Sequence, residues 1–67
     1  MPSQEAIIQR LHNQMEFLDT TRIHHETWAD VTGDSEIAQI HLEINKLLEK
    51  TVEKYVALID RYGKRDD

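Results

Sequence analysis

A chain of 67 residues holds one domain at most, and without cysteine it has neither disulfides nor thiolate metal ligands to staple a small core. Thirteen acidic residues against eight basic ones, a formal net charge of −5, oppose nonspecific attraction to nucleic acid or to an anionic membrane. No apolar run approaches the ~20 residues that span a bilayer, and the N-terminal stretch lacks the basic region and long apolar segment of a signal peptide, so a soluble cytoplasmic protein is expected.

Helix 1 is predicted over about residues 4–31. Pro2 and Ser3 suit a helix start, with Ser3 as the N-cap. Ile7, Ile8, Leu11, Met15 and Leu18 recur at helical spacing and form an apolar stripe. Heptad steps carry that stripe into Arg22, His25 and Ala29, so it turns polar toward the end of the helix. Phe17, Thr21, His24, Trp28 and Val31 form a second stripe, rotated by roughly 90–120° from the first. Arg10, Asn13, Gln14 and Gln9 lie on a solvated face.

Residues 32–34 make a turn. Gly33 is expected to end helix 1 with a left-handed backbone, and Asp34 to cap helix 2. Helix 2 is predicted over about 35–62, with Glu36 in its first turn and Gly63 as its stop. One stripe is expected to hold Ile37, Ile40, Ile44, Leu47, Leu48, Val52, Tyr55, Leu58, Ile59 and Tyr62, leaving Leu42 and Val56 outside it. Thr51 also falls in that stripe and can bond back to its own helix. A frayed tail is expected over 63–67, with Lys64 and Arg65 near the negative helix end.

Two helices of roughly 40 Å joined by so short a link form an antiparallel hairpin, and residues 1–67 read as one all-α domain. A single hairpin covers only one seam. A homodimer packed as a four-helix bundle covers the rest, with another helical protein as the alternative occupant.

The chemistry a sequence can advertise is sparse here. There is no glycine-rich phosphate loop, no nucleophile motif and no His-Glu-x-x-His or Glu-x-x-His pair, so no enzyme is expected. With the turn centred on Gly33, residue i lies level with residue 66 minus i, which sets His25 beside His41. Arg22, His25 and His41 therefore form a polar layer that fixes register, or candidate metal ligands. Two histidines without a carboxylate in the same layer fall short of the usual donor set, so no metal or other cofactor is expected. Their mutual repulsion when protonated is expected to loosen the fold in mild acid.

Phe17, Thr21, His24, Trp28 and Val31 are the candidate protein-interface residues, either the seam of a dimer or a docking face for another protein. The expected role is that of a small non-enzymatic regulator working through helix-face contacts. The outline is similar to that of the Rop-type plasmid RNA-binding proteins, which also end near an Arg-x-Gly, here Arg61-Tyr62-Gly63. That resemblance implies an RNA-binding regulator reading its target along a basic helix 1, whereas helix 1 here offers only Arg10 and Arg22. A histidine-based metal-binding bundle is the other alternative.

Overall fold

The computed structural model describes residues 3–64, which form two helices, α1 (Gln4–Val31) and α2 (Ser35–Gly63), packed against each other as a hairpin. Pro2 and residues 65–67 lie outside the described residues, and with them the helix-start reading at Pro2, the dipole reading at Arg65 and most of the expected frayed tail. The molecule is a rod of 52 × 15 × 14 Å. No helix among the described residues is long and apolar enough to cross a membrane.

Each helix starts where a side-chain oxygen replaces a missing backbone partner. The Ser3 hydroxyl accepts from the Ala6 amide at 3.1 Å. Asp34 accepts from the amides of Glu36 and Ile37 at 2.9 and 3.1 Å. Helix α1 ends at Thr32, whose extended backbone turns away while its amide donates to the Trp28 carbonyl at 3.0 Å. The expected left-handed glycine is corrected here: no glycine among the described residues has a positive φ. Thr32 makes the bend with ordinary backbone angles, and its hydroxyl accepts from the Asp34 amide at 3.3 Å. Gly63 does not stop α2 either; it is its last helical residue, and the Lys64 amide closes the end on the Arg61 carbonyl at 3.3 Å.

The seam follows a strict alternation of four- and three-residue steps, the period that keeps one edge of a helix against a partner helix. On α1 it runs through Gln4, Ile8, Leu11, Met15, Leu18, Arg22, His25 and Ala29. On α2 it runs through Ala38, His41, Asn45, Leu48, Val52, Tyr55, Ile59 and Tyr62. All of these are buried or half-buried. The register is read from contacts across the seam: Gln4 donates to the Tyr62 carbonyl, His25 meets His41 and Arg22 donates to Asn45. Paired numbers sum to 66 or 67 throughout.

This arrangement divides the single stripe expected on α2. Leu48, Val52, Tyr55, Ile59 and Tyr62 enter the seam, but Ile37, Ile40, Leu47 and Leu58 stay 46%, 51%, 65% and 43% exposed. Thr51 is exposed as well and donates to the Leu47 carbonyl at 2.9 Å. On α1, Ile7 sits beside the seam rather than in it, because the ladder passes through Ile8. The physical reason is width. A helix touches one partner along a narrow edge, whereas the apolar arc of α2 is wide enough for two.

Candidate functional site

Two features stand out: a polar layer inside the seam and an apolar face beside it. The layer begins at His25 and His41, whose Nδ1 atoms lie 2.9 Å apart, so one ring donates and the other accepts. Trp28 leans over both rings, with centroids 5.2 Å from His25 and 5.8 Å from His41. His24 completes the group at 5.6 Å from Trp28. Trp28 thus bridges from its own face of α1 to a seam residue of α2.

One turn further along, Arg22 does not join the histidines. Its Nε donates to Asp19 at 3.1 Å, and its NH1 group donates to the Asn45 carbonyl oxygen at 3.4 Å. The Asn45 amide donates to Glu26 at 3.3 Å, and Glu26 lies 3.6 Å from the Arg22 guanidinium. Asn45 is the one buried polar residue among the described residues, at 9% exposure. Its heptad step from His41 to Leu48 marks the position, but its polarity hides it from any search for an apolar stripe. Among the described residues no cluster of three or more His, Cys, Asp or Glu side chains is placed to hold a metal ion.

The apolar face follows from heptad geometry. In an antiparallel pair, the same flank of each helix falls on the same side of the seam. On one side this brings Phe17, Trp28 and Val31 of α1 beside Ile37, Ile40, Leu47 and Leu58 of α2. These are seven of the ten large apolar side chains that remain exposed among the described residues. Phe17 and Val31 are 68% and 74% exposed, and Trp28 is 47% exposed despite its ring contacts. Thr21 lies between them half-buried, its hydroxyl donating to the Phe17 carbonyl at 2.9 Å. Heptad geometry therefore sets the α1 stripe of Phe17, Thr21, His24, Trp28 and Val31 on the same side of the hairpin as the outlying residues of α2.

The opposite side has another character. Glu5, Glu16, Asp19, Glu26 and Asp30, the acidic residues of α1, all fall there. Shallow grooves on that side are lined by Arg22, Glu26, Leu42 and Glu49 and by Asp19, Val52 and Val56. Leu42 and Val56, the two outsiders of the α2 stripe, belong to this side. Ile23 accompanies them at 48% exposure.

In comparisons with family models, curated proteins and solved structures, the chain matches none of them.

Proposed function

We propose that this chain is a small non-enzymatic interaction protein with a regulatory role, working as a homodimer whose four-helix bundle forms by burial of the Phe17–Trp28–Leu47 face. The observation that carries this reading is the concentration of exposed apolar side chains on one side of the hairpin. Contiguous apolar surface of this kind marks association sites.

The area agrees with a second copy as the occupant. The chain exposes 5451 Å². A compact globule of its mass, 7.9 kDa, would expose about 4,400 Å². The excess of about 1,000 Å² is close to the ~800 Å² that each partner buries in a standard interface. Burial inside the hairpin is also incomplete: no large side chain among the described residues is fully buried. Full burial of a Leu or Phe contributes about 1.5–3 kcal/mol, and half-exposed seam residues collect only part of it.

Sedimentation equilibrium tests the reading. The wild-type chain is expected to be dimeric at micromolar concentration. Phe17→Glu and Leu47→Glu are each expected to weaken the dimer by more than tenfold, since each places a charge in the centre of the face. Ile23→Glu, at an exposed apolar residue on the acidic side, is expected to leave association unchanged. A monomeric wild type, or equal effects of Phe17→Glu and Ile23→Glu, would overturn the proposal.

A further inference from the structure

The charges bordering the apolar face of α2 come in two blocks. Glu36 and Glu43 border the half nearer the turn, and Lys54 and Arg61 border the half nearer the termini. None of the four has an ion-pair partner among the described residues, and Glu43 accepts only from the Gln39 amide at 3.3 Å. Their positions are symmetric. Residues 43 and 54 are equidistant from a point between residues 48 and 49, and so are residues 36 and 61. That point lies next to residue 49, the middle of α2, which runs from Ser35 to Gly63. Leu47 lies beside it, and Phe17 lies beside the middle of α1.

Resting on the dimer reading above, we propose that the second copy packs head to tail, related by a twofold axis that crosses the rod at mid-length. This symmetry lays α2 antiparallel on the partner's α2. Lys54 then lies opposite the partner's Glu43, and Arg61 opposite the partner's Glu36, each pair occurring twice. The most exposed apolar residues of the mid-section, Phe17 and Leu47, meet their own copies at the axis, where interface energy concentrates. Arg10 falls level with the partner's His24 and Trp28, where a guanidinium is attracted to an indole face. The competing arrangement places turn beside turn and lays α2 on the partner's α1. It brings Lys54 within about one helical turn of the partner's Arg10, and such like-charge juxtaposition is penalised at interfaces.

A distance measurement separates the two. The chain has no cysteine, so Gly33→Cys accepts one spin label per copy at the turn, where added atoms meet nothing within 4 Å. Head-to-tail packing is expected to give a label separation of about 45 Å, from a rise of 1.5 Å per residue over the two half-lengths. A separation below about 20 Å would overturn the head-to-tail arrangement while leaving a dimer in place. A monomer by sedimentation would instead overturn the dimer itself. Charge reversal adds an independent reading. Lys54→Glu is expected to weaken association by roughly threefold to tenfold at low salt, and Glu43→Lys in the same chain to restore it. Failure of the second change to restore association would exclude the Lys54–Glu43 pairing.

Discussion

At the scale of single residues, the His25–His41 contact ties the two helices together inside the seam. With Nδ1 atoms 2.9 Å apart, one ring donates to the other, and both rings are half-buried. His24 and Trp28 are the other rings in the group, and neither supplies a negative charge. Asp19 and Glu26, the neighbouring acids of α1, are engaged by Arg22. His41→Ala removes one partner of the His25–His41 bond, and thermal melting at fixed protein concentration is expected to show a loss of about 1 kcal/mol, or several degrees. His41→Asn keeps a hydrogen-bonding group in place, and it is expected to lose less. A melting temperature of His41→Ala equal to that of the wild type would show that the bond contributes nothing.

At the scale of elements, the three turn residues share the work of reversing the chain unequally. Asp34 holds two amides of α2, and Asp34→Ala is expected to cost about 1 kcal/mol in chemical denaturation. Gly33 has no left-handed backbone, and a Cβ there meets nothing within 4 Å. Gly33→Ala is therefore expected to be neutral or to stabilise by up to about 1 kcal/mol, by restricting the unfolded chain. A loss equal to that of Asp34→Ala would show that the glycine is needed after all. The caps and the cross-seam register were legible in the sequence because both depend on local rules: Ser3 and Asp34 offer short side-chain acceptors, and a short link forces His25 level with His41. The division of the α2 stripe was not legible. A helical wheel joins Leu47 to Leu48 and Ile40 to Ile44, and only the position of α1 decides which of them it covers. Asn45 was missed for the complementary reason, since burial of a polar side chain depends on partners that lie 19 and 23 residues away, Glu26 and Arg22.

At the scale of the whole molecule, a seam without fully buried large side chains and a broad apolar face predict that folding and association are coupled. Closing the face in a dimer leaves the acidic side of α1 outermost, with Glu5, Glu16, Asp19, Glu26 and Asp30 directed away from the interface. That distribution opposes contact of this side with a phosphate backbone. Coupled association has a thermodynamic signature that needs no mutation. If the native state is a dimer and the unfolded state a monomer, mass action stabilises the fold as concentration rises. A hundredfold increase adds about 2.7 kcal/mol per dimer, enough to raise the melting temperature by several degrees. The same series on Phe17→Glu is expected to give a lower melting temperature that does not move with concentration. A wild type whose melting temperature stays constant over that range would mean that the hairpin folds alone, with its apolar face left open to solvent.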